Sequence, residues 1–199
     1  MMILRSSPAS PFGRKVKIAA AILGLSDRIK TVEADTTNPS DDLRRQNPLG
    51  KIPALVLEDG TCLYDSRVIV DYLDSIGGNT LHPAGRARHA ALVMQALADG
   101  IMDAALLQVY ETRFRTEDQR EAKWTDHQAG KVERGLAALE ATPPSEAVDV
   151  GTIAVACALG YLDLRFDGRW RTDHPRLVAW LEGFESRVPA YTKTRFVPA

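Results

Sequence analysis

Residues 47–74 read NPLGKIPALVLEDGTCLYDSRVIVDYLD, and their punctuation organises the first part of the chain. Ala54–Leu57 and Cys62–Tyr64 flank EDGT, whose Asp59-Gly60 pair is a strong hairpin turn signal. Ser66 can then cap a helix with Ile69, Tyr72, Leu73 and Ile76 on one face. Upstream, Pro48 and Pro53 bracket a loop, and the proline before the β-like run ALV permits a cis bond at Ile52-Pro53. Such a bond turns backbone groups sideways to a ligand, although an ordinary edge-strand start explains the pattern equally.

Toward the N-terminus, Ile3 and Leu4 mark a short first strand. The stretch SSPASPFGRKVKI (6–18) then enters a helix with Pro11 at its first position, and Phe12, Val16, Ala19, Ala20 and Leu23 recur at helical spacing until Gly24. Residues 29–33 suggest a second strand. The polar segment 35–51 has room for one short helix near Asp41–Arg45. The order β-α-β-α-β-β-α over residues 1–77 describes a small α/β layer with a mixed sheet. Beyond it, GGNTLHPAGRA (77–87) has linker composition, which sets a linker at 78–85, and residues 86–199 read as an all-helical bundle. Its helical patterns are Arg86–Phe114, Thr116–Ala141, Val150–Phe166 and Pro175–Arg187.

Composition narrows the function. With 199 residues, 45% hydrophobic and 26% charged, and a net charge of −1, the chain has no basic excess for nucleic acid. No stretch of about 18 uninterrupted apolar residues is present. MMILRSSP lacks the apolar core and cleavage site of a signal peptide, so a cytoplasmic location and no membrane partner are expected. Cys62 and Cys157 are far apart and the four histidines lack ligand spacing, so no metal is expected and both thiols are expected to be buried and reduced.

Three features bear on chemistry. Ser10 precedes Pro11 at the first strand-to-helix junction; it can be a plain N-cap, or its hydroxyl can face an anionic sulfur or oxygen at the helix N-terminus. With no histidine near it in sequence, it suits a hydrogen-bond donor better than a nucleophile. Arg14, Lys15 and Lys17 follow in the first two turns, where the helix dipole disfavours cations unless an anion compensates. KIPALV is the second feature. In the third, ALADGIMDAAL (96–106), Asp99 and Asp103 are four apart on one face among apolar neighbours. Either they form a solvated acidic stripe, or one is partly buried and needs a cation.

Taken in order and at these separations, SPFGRKVKIAA, NPLGKIPALVLEDGTCLYDSRVIVDYLD and ALADGIMDAAL resemble the cytosolic glutathione transferase family, close to its bacterial members and to the serine-type classes, including plant tau, that carry an SPF motif. The resemblance covers essentially the whole chain. It implies a thioredoxin-like N-terminal domain followed by an all-α domain, the glutathione transferase fold, with glutathione as co-substrate. By the same resemblance Ser10 would donate its hydroxyl to the glutathione sulfur, with Phe12 beside it. Ile52, before cis Pro53, would pair with the cysteinyl unit, and Lys51 would approach the glycyl carboxylate. Asp65 and Ser66 would hold the γ-glutamyl end. Asp103 would reach across a homodimer interface to the partner's ligand. Pro8, Ala9, Leu106, Tyr110, Arg113 and Phe114 would line the pocket for a hydrophobic electrophile, though bundle packing explains the aromatic and aliphatic side chains equally.

The implied chemistry is thiol activation. A free thiol near pKa 8.5 is only a few per cent thiolate at neutral pH, and a hydroxyl, a helix N-terminus and nearby cations could lower it by about two units, roughly 2.7 kcal/mol. Two rival readings stand beside conjugation: a non-catalytic glutathione- or partner-binding protein on the same fold, and a glutathione-dependent isomerase or dehalogenase. The sequence departs from the family pattern at DVGT (149–152), where Asp149 can still cap but Thr152 replaces the reciprocal acid of a capping box, which puts the robustness of that helix start in doubt. No cysteine stands at position 10, which disfavours disulfide-exchange chemistry.

Overall fold

The structure, a computed structural model, describes residues 1–198. These form four strands, β1 (Met2–Ser6), β2 (Ile29–Glu33), β3 (Ala54–Val56) and β4 (Cys62–Leu63). The helices are α1 (Pro11–Ile22), α2 (Leu43–Gln46), α3 (Ser66–Gly77), α4 (Arg86–Phe114), α5 (Ala122–Ala141), α6 (Val150–Phe166), α7 (Pro175–Arg187) and α8 (Pro189–Lys193). The chain divides into two compact units. The first holds residues 1–88 together with the chain from Val188 onward, and the second is His89–Arg187.

In the first unit the sheet order is β2-β1-β3-β4, with β1 parallel to β2 and the other neighbours antiparallel. Leu4 and its cross-strand partner Leu55 are fully buried, as are Val16, Ile18 and Ala19 of α1 and Ile69, Val70 and Leu73 of α3, while Ala54 is buried in a cluster with Ala34 and Leu43. The α3 face therefore differs from the expected one: Val70 replaces Ile76, which is exposed, and Tyr72 is only half-buried. Arg5, buried in β1, ties the polar segment after β2 to the sheet through Asp41 at 2.7 Å and Gln46 at 3.2 Å. A tight turn carries the chain from β1 to α1, with the Ser10 N–H donating to Ser7 O at 3.2 Å. Here α1 comes so close to the strand end that a methyl at Gly13 would lie 2.0 Å from Ser6 Oγ.

Two boundaries differ from the sequence reading. Residues 78–85 are held to α3: Asp74 accepts from the N–H groups of Thr80, Leu81 and His82 at 2.7–2.9 Å and lies 2.8 Å from His82 Nδ1. The end of the expected helical domain returns to the first unit, where α8 packs on α1. Its anchor is Arg14, whose Nη2 donates to Tyr191 O at 2.6 Å while its guanidinium lies 4.0 Å from the Tyr191 ring centroid.

The second unit is built around α6, buried along its length from Val150 to Leu159. Its start is sound despite the missing acid. Asp149 accepts from the N–H of Gly151 and of Thr152, each at 2.9 Å, and the Asp149 N–H donates to Thr152 Oγ1 at 2.9 Å, so threonine completes the reciprocal box. The helix expected from Thr116 begins instead at Ala122, after a 3₁₀ turn at Glu117–Gln119 in the polar segment TEDQRE. By length and composition α4 could cross a bilayer, yet Asp99 is among the side chains it buries within protein.

Candidate functional site

The sheet register gathers the N-terminal candidates. Arg5 pairs with Ala54 and Leu55 with Leu63, so the end of β1, the start of β3 and the end of β4 share one end of the sheet. The Ser7–Ser10 turn, the Ile52-Pro53 pair and Asp65-Ser66 all emerge there, and the N-termini of α1 and α3 begin there. Two partial positive charges from unpaired helix N–H groups thus sit at the same end.

Ser10, 9% exposed, is the N-cap of α1, and its Oγ accepts from the Gly13 N–H at 3.1 Å. Because the oxygen takes that bond as acceptor, the hydroxyl hydrogen is left to donate elsewhere. The N-cap reading and the donor reading are therefore compatible.

Asn47 shapes the approach to Pro53. Fully buried, it donates from Nδ2 to Lys51 O at 2.8 Å and accepts from the Leu49 N–H at 3.1 Å. Gly50, at φ +61°, makes the turn in between. The Ile52-Pro53 bond is cis. Among the described residues the Ile52 N–H and C=O join no hydrogen bond, so both are available to an extended ligand. Lys51 is exposed beside them.

Asp65, not Ser66, caps α3. Its Oδ1 accepts from the Arg67 N–H at 2.9 Å, and its Oδ2 takes Arg67 Nη2 at 2.8 Å. Partial burial raises its pKa, but the Arg67 hydrogen bonds and the charges of Arg67 and Lys15 outweigh this and hold the carboxyl below its usual range. Ser66 is buried at the first position of the helix.

The basic residues of α1 are not a solvated cluster. Arg14 grips α8, and Lys15 is 1% exposed, with Nζ 5.9 Å from the ring centroid of half-buried Phe12. Burial pushes the pKa of Lys17 down, partly offset by Glu33. Cys62 is half-buried rather than buried, and burial raises its thiol pKa, which disfavours the nucleophilic thiolate; Cys157 is buried.

In the first unit Pro8 is exposed and Ala9 half-buried in the turn before Ser10. In the second, Asp99 is buried and Asp103 exposed on α4, which bears out the partial burial of the acidic pair. Leu106, Tyr110, Arg113 and Phe114 follow on the same helix. Tyr110 and Phe114 meet edge to face at 5.1 Å, and Arg113 lies 5.3 Å from the Phe114 ring centroid.

Comparison with known proteins gives this arrangement a family. The glutathione S-transferase N-terminal domain model matches residues 9–76 and the C-terminal domain model residues 122–183. The chain is 35% identical over 197 residues to the uncharacterized GST-like protein YibF of Escherichia coli strain K12, covering 94% of this chain and 95% of that one. It belongs to the glutathione S-transferase family.

Solved members of the family share the whole fold. A glutathione transferase family member from Pseudomonas fluorescens Pf-5, with bound glutathione, is 44% identical with a TM-score of 0.93, covering 100% of both chains. A glutathione S-transferase from Methylobacillus flagellatus KT, with glutathione bound, is 36% identical with a TM-score of 0.91, covering 99% of this chain and 100% of that one. The small mixed sheet followed by a helical unit is the glutathione S-transferase fold. In this family member, sequence reasoning passed over Asn47, Gly13 and the burial of Lys15. Only the first carried a local signal: asparagine one residue before Pro48 and three before Gly50 is a turn-former in a loop that must hold a fixed shape.

Proposed function

We propose that this protein conjugates glutathione to an electrophile, with Ser10 donating its hydroxyl to the glutathione thiolate. The observation that carries the reading is the Ser10 cap geometry: an oxygen occupied by the Gly13 N–H at 3.1 Å, a hydrogen free to donate, and an α-helix N-terminus behind it. The tripeptide's cysteinyl backbone pairs with Ile52, its glycyl carboxylate approaches Lys51, and its γ-glutamyl end lies at Asp65 and Ser66. Phe12 and Pro53 complete the wall of this site. The thiol releases its proton to solvent, and the stabilised sulfur attacks the electrophilic carbon to form the thioether as the leaving group departs. Pro8, Ala9, Leu106, Tyr110, Arg113 and Phe114 are the side chains proposed to receive the electrophile. The protein acts in the cytoplasm as a homodimer, with Asp103 serving the partner's ligand.

Glutathione added to the purified protein near neutral pH should develop thiolate absorbance in the ultraviolet and should then react with chlorodinitrobenzene. Binding without thiolate absorbance or turnover would refute the transferase reading.

A further inference from the structure

Side chains along a strand alternate between the two faces of a sheet, and cross-strand partners share a face. Leu4 and Leu55 are one such pair and Arg5 and Ala54 the next, so Arg5 lies on the face where Ala54 meets Ala34 and Leu43. An arginine there, 8% exposed and with its Nε lacking a hydrogen-bond partner, is a costly choice. An aliphatic side chain would fill the position without burying a charge, so packing alone does not account for the guanidinium.

What the guanidinium holds is a segment braced within itself. Asp41 accepts from the N–H groups of Asp35 and Leu43 at 2.9 and 2.7 Å, and Arg44 Nη2 donates to Thr36 O at 2.9 Å. The Asn47 N–H donates to Leu43 O at 2.7 Å, and the Asn47 side chain fixes the turn that ends at Lys51. Among the described residues, Arg5 makes the only hydrogen bonds between residues 35–51 and the rest of the chain, to Asp41 Oδ1 at 2.7 Å and Gln46 Oε1 at 3.2 Å. The same side chain reaches Glu33 O on β2 at 3.4 Å. One fork of donors on β1 thus sets where a stiff segment sits on the sheet. Lys51 and Ile52 leave from the end of that segment.

We propose that Arg5 is a positioning residue for glutathione. Through Asp41 and Gln46 it fixes residues 35–51, and thereby places the Lys51 ammonium for the glycyl carboxylate and the Ile52 backbone for the cysteinyl unit. The role rests on the glycyl end lying at Lys51; it concerns binding and is independent of the fate of the thiolate.

The test compares the affinities of glutathione and of its glycyl amide, measured by calorimetry on the full chain. The parent should prefer glutathione by about fivefold, the scale of an exposed ion pair, and Lys51→Gln should abolish the preference. Arg5→Gln and Asp41→Asn should each bring it to within about twofold of unity. The sign in Asp41→Asn decides between two causes. Removing a negative charge would raise the preference for a carboxylate through the field alone, whereas lost positioning lowers it. This variant also keeps an acceptor for the Leu43 N–H, so it answers the question even where Arg5→Gln fails to fold. A preference unchanged or raised in Asp41→Asn would overturn the proposal whatever the urea midpoint does, because lost stability alone does not sort the two ligands. Equal affinities in the parent, or a preference kept in Lys51→Gln, would overturn it together with the Lys51 placement. A preference that collapses in the variants of a protein that does not turn over chlorodinitrobenzene would sustain the positioning role and sink the transferase reading. Failure of both ligands to bind would sink both.

Discussion

Replacing Ser10 separates a contribution seen in the structure, the Gly13 cap, from a proposed one, the bond to the thiolate. The Ser10→Ala variant removes the acceptor for the Gly13 N–H, 3.1 Å away, at a cost of about 1 kcal/mol in stability. It also removes the proposed donor to the thiolate. A hydrogen bond to a charged group is worth about 1.5–3 kcal/mol, and at about 1.4 kcal/mol per unit its loss raises the bound thiol's pKa by about one to two units. Ser10→Gly distinguishes the two effects, because glycine at an N-cap costs only a few tenths of a kcal/mol.

The variants should therefore differ in urea midpoint while showing the same rise in thiol pKa, read by titrating thiolate absorbance in the glutathione complex. Below the parent's thiol pKa, kcat/KM should fall by about 10- to 100-fold in both, with the deficit closing as pH rises. A thiol pKa unchanged in both variants, or restored in Ser10→Gly along with helix stability, would refute the hydroxyl's role.

Other perturbations test the scaffold. Arg14→Gln loses a charge-assisted bond to Tyr191 O and a guanidinium stacked 4.0 Å from the Tyr191 ring, so it should destabilise by about 2–4 kcal/mol in urea unfolding; a loss under 0.5 kcal/mol, the scale of an ordinary surface substitution at about ±0.5, would deny the anchor. Burial raises the Asp74 pKa, but the donors from Leu81, His82 and Thr80 outweigh it and hold the folded value below the unfolded one. The unfolded state then takes up the proton first as pH falls, so this stability is present above the unfolded carboxylate pKa, about 3.9, and is lost as pH drops through the folded value. Asp74→Asn should be less stable at neutral pH by about 2–3 kcal/mol and show a shallower acid decline in urea midpoint; an unchanged decline would assign the acid sensitivity elsewhere. Asp149→Ala frees the N–H groups of Gly151 and Thr152 and should cost about 1–2 kcal/mol by the same assay, whereas a neutral result would show the α6 start held by packing alone.

Much of the fold was legible because local signals agreed with one another. Periodicity and breakers placed β2 at Ile29–Glu33, α4 at Arg86–Phe114, α6 at Val150–Phe166 and α7 at Pro175–Arg187, and the Asp59-Gly60 turn placed the β3–β4 hairpin. The α5 start was misplaced because the polar residues after Thr116 fit an exposed helix as well as a loop, and nothing local tells them apart. The Asp149 box was legible in part: the cap was read, but the reach of a threonine hydroxyl back to the Asp149 N–H depends on a rotamer.

By itself, the sequence determined which segments are helix and strand, where the backbone must turn, and that Ser10, Ile52-Pro53 and Asp65-Ser66 sit at element junctions, because propensity, capping and apolar period act within a few residues. Only the tertiary structure decided that those junctions share one end of the sheet, that Arg14 closes on a carbonyl 177 residues away, and that Lys15 is buried. The reason is physical. Burying a charge or converging like charges costs free energy that local sequence cannot offset, and only partners brought together by folding supply the compensation.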